Sequence, residues 1–66
     1  MIVLTNFAKG REASKSGDFK TALAQWQPLA EQGDAKAQFS VGLMYDNGHG
    51  VIQKHETAAK WITLAA

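Results

Sequence analysis

The stretch TALAQWQPLAEQGDAKAQFSVGLMYDNGHG, residues 21–50, decides the fold of this chain. Helical sequence is interrupted twice within it, at the pair Gly33-Asp34 and at the glycine-rich run of residues 47–50. The pair Gly17-Asp18 forms a similar junction upstream. Glycine reaches the left-handed conformation that closes a helix, and aspartate accepts hydrogen bonds from the first free N–H groups of the next helix. The breaks therefore predict four helices, at residues 7–16, 19–32, 35–46 and 55–66.

Apolar residues recur at helical spacing within these segments. The second segment carries them at steps of three and four, namely Phe19, Ala22, Leu23, Trp26, Leu29 and Ala30. The third segment is apolar around most of its girth, which is typical of a helix packed between neighbours. Pro28 lies ten residues into the second segment and removes one backbone hydrogen bond, so we predict a bend over residues 24–28. The pattern indicates an all-α fold with Trp26 in its core.

The chain repeats itself internally. A shift of 36 residues aligns Trp26 with Ile62, and a shift of 32 residues aligns Gly10 with Gly42. The difference of four residues matches a longer loop in the second half. We therefore predict one repeat domain, residues 1–66, made of two helix pairs at 7–33 and 34–66. Small residues such as Gly10, Ala13 and Gly42 let paired helices approach closely, and stacking the pairs buries their remaining apolar faces.

The third and fourth segments resemble a known repeat family. Residues 37–51, AQFSVGLMYDNGHGV, follow the pattern A-x-x-x-L-G-x-x-Y-x-x-G-x-G-V, with valine in place of the leucine. Ala58, Trp61, Ala65 and Ala66 match its continuation, A-x-x-W-x-x-x-A-A. This pattern is similar to the Sel-one-like repeat family (SLR), which is related to tetratricopeptide repeats. The resemblance implies an α–α superhelix of four antiparallel helices that acts as an adaptor for partner proteins.

The chain departs from this pattern before the fourth segment. Ile52 stands in place of a frequent proline, and Lys54 stands where an acidic or amide residue usually caps the helix. We therefore expect the fourth helix to begin loosely.

The resemblance also indicates where a partner binds. In tetratricopeptide-like arrays the first helix of each pair lines the binding groove, so the expected contacts with another protein or peptide are Lys9, Glu12, Phe39 and Leu43. The pattern ends in mid-helix at Ala66, and we expect the chain to be a fragment of a longer array. Trp61 and Leu64 would then face the next repeat, which leaves part of that surface bare. A homodimer through this end is the main alternative to the adaptor.

Composition excludes several other classes of function. The chain has no cysteine, which rules out disulfides and thiolate metal sites, and its 45% hydrophobic content argues against disorder. Its net charge of +1 comes from mixed charges without a basic stripe, so we expect no nucleic-acid partner. The apolar residues 1–4 are too short for a signal peptide or a membrane span, and we expect no membrane partner. These features do not indicate in which cellular compartment the protein acts.

Enzymatic and metal-binding alternatives have weak support. His49 and His55 lack further ligands at zinc-binding spacing, so we expect His49 in an exposed loop and His55 packed at the position equivalent to Phe19. The pair Gly48 and Gly50 lacks the strand and lysine of a phosphate-binding loop and predicts a turn with positive φ. A hydrolase built on Ser40, Asp46 and His49 is a remote alternative, because no nucleophile elbow surrounds the serine. We predict no catalytic residue, metal or cofactor.

Overall fold

The computed structural model describes residues 6–66, and its regular structure in that range consists of four α-helices. They are α1 (Asn6–Lys15), α2 (Phe19–Glu31), α3 (Ala35–Asn47) and α4 (His55–Ala65). Each observed helix boundary lies within one residue of its prediction. The all-helical class is therefore confirmed. None of these helices is long and apolar enough to span a membrane.

The two glycine–aspartate junctions fold as predicted. Gly17 and Gly33 have φ angles of 82° and 99°, in the left-handed region that favours glycine. Each aspartate then caps the helix that follows: Asp18 Oδ1 accepts from the N–H of Thr21 at 3.2 Å, and Asp34 Oδ1 accepts from the N–H of Ala37 at 3.1 Å. The short junctions turn the chain sharply, so that each helix packs against the next.

The buried core is built mainly from α2 and α3. It comprises Ala22, Trp26 and Ala30 of α2 with Ala37, Val41 and Met44 of α3. The helices contact one another in chain order, α1 with α2, α2 with α3, and α3 with α4. The described chain is elongated, with principal extents of 40 × 24 × 14 Å.

Two glycines mark the closest contacts between paired helices. A Cβ atom added to Gly10 would lie 2.7 Å from Cδ1 of Trp26, and one added to Gly42 would lie 2.6 Å from Cγ1 of Ile62. The two contacts are equivalent under the shifts seen in the sequence, because Gly10 aligns with Gly42 and Trp26 with Ile62. The predicted close approach at both glycines is confirmed.

Trp26 joins α1 to α2 by packing and by a hydrogen bond. Its side chain is only 7% exposed, as its core assignment predicted. The indole Nε1–H donates to the carbonyl oxygen of Phe7 at 3.0 Å, and the two rings stack with centroids 5.5 Å apart. Helix α2 continues unbroken through Pro28 to its end. The bend expected at residues 24–28 stays a prediction.

A buried polar side chain joins α2 to α3. Gln38 is 8% exposed, and its Nε2 donates to the carbonyl oxygen of Ala30 at 3.1 Å. That carbonyl lies in the last turn of α2, where backbone acceptors have no partner within the helix. The Gly33 N–H also donates to this carbonyl, at 3.1 Å, so the Gln38 amide is its second donor.

The loop between α3 and α4 is held by the C-terminal end of α3. Lys54 N–H donates to the Tyr45 carbonyl at 2.9 Å, and Gln53 Nε2 donates to the Asp46 carbonyl at 2.7 Å. Lys54 provides no side-chain cap for α4, as its sequence position predicted. These loop contacts position the start of α4 in place of a cap.

The prediction for His55 was wrong. His55 does not pack as Phe19 does: its side chain is 72% exposed, and its Nδ1 lies 2.8 Å from Oδ1 of Asp46. A polar imidazole keeps its hydration and gains a carboxylate partner at the surface, whereas burial without partners would cost free energy. It is His49 that contacts Phe19, with the two rings stacked 4.2 Å apart.

Candidate functional site

Helix α3 exposes two large apolar side chains. Phe39 is 47% exposed and Leu43 is 40% exposed. Residues four apart lie on the same face of a helix, so the two side chains form one ridge. The opposite side of α3 is buried through Ala37, Val41 and Met44. The ridge therefore belongs to the surface, where the sequence placed candidate partner contacts.

A groove runs beside Leu43 at the junction of α1, α2 and α3. We call it the α1–α3 groove; its volume is about 200 Å3, and it is lined by Ser14, Phe19, Trp26, Ser40, Leu43, Met44, Asn47 and His49. Trp26 and Met44 are buried and form its floor, while Leu43 and His49 are exposed at its edge. Apolar groups with a few hydroxyl and amide groups among them are typical of a binding site.

Phe39 borders a different depression. That depression has a volume of about 400 Å3 and lies between the start of α3 and the end of α4, lined by Ala35, Lys36, Phe39, Ile62, Ala65 and Ala66. Phe39 and Leu43 thus lie on one ridge with a depression on each side. The structure places both residues together on the surface but gives each a different set of neighbours.

The structure does not bring Lys9 and Glu12 to the α1–α3 groove. Both residues are exposed on α1. At about 100° per residue, they lie on the flank of α1 roughly opposite Ser14, the α1 residue that lines the groove. Arg11 lies one turn before Ser14 on the groove side. The 32-residue shift contained this signal, since it aligns Arg11 with Leu43.

Basic and acidic side chains differ in the contacts that they make within the chain. Within residues 6–66, no lysine or arginine forms an ion pair, and Asp46 contacts the imidazole of His55. Three carboxylates accept local hydrogen bonds: Asp18 and Asp34 cap helices, and Glu31 accepts from Gln27 at 3.2 Å. The basic side chains of the described chain are therefore free to meet an external charge.

The two predicted self-association residues of α4, Trp61 and Leu64, differ in their exposure. Trp61 is half-buried and packs against the core, whereas Leu64 is 64% exposed. Leu64 borders an open depression of about 470 Å3, lined by Ala59, Lys60, Thr63 and Leu64. Leu64 is therefore the apolar group at this surface that is free to contact another molecule.

The residues of the remote catalytic alternative have different partners. Ser40 and His49 both line the α1–α3 groove, but the Asp46 carboxylate binds His55. Among residues 6–66, no hydrogen bond links these three side chains into a relay, and no cluster of three His, Asp or Glu groups is arranged to hold a metal ion.

The described residues thus form an all-helical chain with an apolar ridge and a small groove on its surface. Comparisons with known proteins find similarity to a short part of two longer proteins. The chain is 37% identical over 49 residues, 74% of its length, to mouse (Mus musculus) DAP3-binding cell death enhancer 1. It is 42% identical over 41 residues, 62% of its length, to the rat (Rattus norvegicus) protein of the same name. The chain spans only 10% and 8% of these relatives. No protein-family model and no solved structure matches it.

Proposed function

We propose that this chain is a non-catalytic, protein-binding module of the SLR type, in which the α1–α3 groove holds a segment of another protein. The observation that carries this proposal is Leu43, a large apolar side chain 40% exposed at the edge of a groove floored by Trp26 and Met44. A partner's apolar side chain in the groove would remove this surface from water, which favours association.

Two further features support the SLR type. The Gly10–Trp26 contact in the first helix pair recurs as the Gly42–Ile62 contact in the second, as expected for repeats of one unit. Helices that contact one another in chain order, within an elongated outline, are also expected for a superhelix of stacked pairs. The name of the mouse and rat relatives describes binding to another protein, DAP3, which is consistent with an interaction role for the part that this chain resembles.

The polar lining of the groove would orient the bound segment. Ser14, Ser40 and Asn47 line it beside the apolar floor. Hydroxyl and amide groups both donate and accept hydrogen bonds, so they can pair with the backbone of an extended segment. Apolar contact would then supply affinity, while these groups would fix the direction of the chain.

A selection experiment tests the proposal. Random peptides displayed on phage are selected against the immobilised 66-residue chain and, in parallel, against Leu43→Glu and Leu64→Glu variants. We expect peptides enriched on the wild-type chain to bind Leu64→Glu equally and to lose binding to Leu43→Glu. Equal binding to all three chains would reject the groove as the site. Purified DAP3 is the first whole protein to measure against the same variants.

Self-association through α4 is a second candidate function, favoured by Leu64, which is 64% exposed. Sedimentation velocity across a concentration series measures it directly. If this candidate is correct, the wild-type chain forms dimers that Leu64→Glu abolishes and Leu43→Glu leaves intact. A monomer at all concentrations rejects it.

A further inference from the structure

We infer that a second surface of this chain, separate from the α1–α3 groove, binds one α-helix of a partner protein. The surface is the depression of about 400 Å3 between the start of α3 and the end of α4, which we call the α3–α4 depression. The helix that fits it carries small and apolar residues on one face, as α3 does. This surface is not part of the proposed function, which concerns the groove alone.

The first helix pair has an equivalent surface, and there α3 covers it. The 36-residue shift aligns Ala66 with Ala30, which is 1% exposed and whose carbonyl accepts from the Gln38 side chain of α3. The 32-residue shift aligns Phe39 with Phe7, which is half-buried against the core. In the second pair, Ala66 is exposed and Phe39 is 47% exposed. The same face is therefore covered in one pair and open in the other.

The part of α3 that covers the first pair shows what kind of helix fits. Ala37, Val41 and Met44 are all buried in the core shared with α2, at the spacing that places side chains on one face of a helix. The α3–α4 depression offers a similarly apolar surface, because every residue that lines it except Lys36 is apolar. A helix with one small and two apolar residues at this spacing would remove the depression from water, which favours binding.

A second copy of this chain does not supply such a helix. Its α3 is already packed against its own α2, which leaves α1 as the equivalent helix. The 32-residue shift places Lys9 at the position of Val41, and it places Glu12 at that of the buried methionine. Both charged side chains are exposed, and burying them without partners would cost free energy. Lys9 and Glu12 therefore close the α1 end of the stack, as the polar outer face of a terminal repeat does.

The test gives α1 the contact residues of α3 and measures whether the changed chain binds the wild-type chain. The donor chain carries Lys9→Val and Glu12→Met, together with Phe39→Glu, which closes its own depression. Isothermal titration calorimetry of the donor chain into the wild-type chain should show one donor bound per wild-type chain. Phe39→Glu in the receiving chain should weaken this binding at least about tenfold, because the new carboxylate would be buried without a partner.

Two matched controls accompany this titration. Leu43→Glu in the receiving chain makes the same kind of change one turn further along the α3 ridge, outside the depression. We expect it to leave the binding within about threefold of the wild-type value, because its charge stays in water and is screened. A chain with Phe39→Glu alone keeps Lys9 and Glu12, and it should not bind the wild-type chain. Circular dichroism checks that each variant keeps its helices, since all the substituted positions are exposed.

A second measurement supplies α3 itself. Because Ala66 is equivalent to Ala30, residues 31–66 placed after Ala66 repeat the junction between α2 and α3 and add a third helix pair. Stacked repeats stabilise one another, so the extended chain should unfold in one transition at a higher urea concentration than the 66-residue chain. Phe39→Glu within the original 66 residues should lower the urea midpoint more in the extended chain than in the unextended one.

Each outcome supports or overturns a stated part. A donor that binds the Phe39→Glu chain as tightly as the wild-type chain overturns the site. No donor binding, together with an added pair that leaves the urea midpoint unchanged, overturns the surface. A stabilising added pair without donor binding supports the surface and overturns the role of Lys9 and Glu12. Wild-type chains that associate through Phe39 overturn the partner helix in favour of a second copy. The proposed function fails separately, when peptides bind Leu43→Glu as well as the wild-type chain.

Discussion

Gly10 of α1 lies directly against the indole ring of Trp26 of α2, with no room for a Cβ atom between them. Gly42 and Ile62 make the corresponding contact between α3 and α4. In each pair, the absence of a side chain on the first helix lets a large side chain of the second reach the backbone. The distance between paired helices therefore depends on these glycines.

Replacing Gly10 with alanine tests this dependence. Alanine is intrinsically better in a helix by about 1 kcal/mol, but the new Cβ would lie 2.7 Å from Cδ1 of Trp26 and force the helices apart. We expect a net loss of about 1–3 kcal/mol in the free energy of unfolding, measured by urea denaturation. In a Trp26→Leu background the same replacement should cost less. An equal cost in both backgrounds would show that the indole is not the obstacle.

The missing cap of α4 offers a stabilising change. Lys54 occupies the N-cap position with an extended backbone, φ −144° and ψ 101°, but its side chain makes no capping bond. Lys54→Asp should supply an acceptor for the first turn and raise the free energy of unfolding by about 0.5–2 kcal/mol. The matched control is Asp34→Ala, which removes an existing cap from α3 and should lower stability by a similar amount. A destabilising Lys54→Asp would show that the loop contacts already satisfy the helix start.

Gln38 should contribute to stability through its hydrogen bond to the Ala30 carbonyl. Gln38→Met keeps the length of the side chain and removes the donor, so the Ala30 carbonyl keeps its bond from the Gly33 N–H but loses the second one, at a cost of about 0.5–1.5 kcal/mol. Thermal unfolding followed by circular dichroism measures the loss. Gln27→Met is the control, because Gln27 donates only to the exposed Glu31 carboxylate. Equal effects of the two changes would argue against a special role for the buried bond.

Asp18 makes stability depend on pH in acid. Hydrogen bonds from the Thr21 side chain and backbone N–H lower the pKa of its carboxyl below the ordinary 3.8. A lowered folded-state pKa means that the stabilisation is fully present above pH 3.8 and is lost as pH falls through the lower folded-state value.

Asp18→Asn removes the pH-dependent contribution of the Asp18 carboxylate but keeps a cap, since asparagine caps a helix without titrating. We expect the stability of the wild-type chain relative to Asp18→Asn to be constant from pH 7 to about pH 5 and to decline below pH 4. Urea denaturation at each pH gives the difference. A difference that does not change down to pH 2 would contradict the Thr21 bond.

Much of the fold could be predicted because its determinants are local. The junctions at Gly17-Asp18 and Gly33-Asp34 need only a left-handed glycine and a capping carboxylate, and both features are visible in sequence. The helix boundaries followed from them. The exposure of Phe39 and Leu43 could also be anticipated, since α3 has more apolar residues than one buried face can use.

The groove was harder to predict because it depends on how α1 is placed relative to α3. The sequence predicts Lys9 and Glu12 as contacts because they are polar residues of the first helix. The groove side of that helix, however, is fixed by the Gly10–Trp26 contact, which places Ser14 toward α3. The position of His55 depends on a loop that returns it to Asp46. Such contacts arise between distant parts of the chain, and helical periodicity alone does not contain them.

The chain order of the helix contacts has a consequence for how the molecule opens. Because α1 and α4 each make their main contact with one neighbouring helix while α2 and α3 make theirs with two, the end helices can fray without breaking the central contact. Helix α4 contributes one fully buried residue, Ala58. Amide hydrogen exchange should therefore be faster in α1 and α4 than around Ala30 and Val41, so that the centre of the chain would stay closed while its ends exchange with solvent.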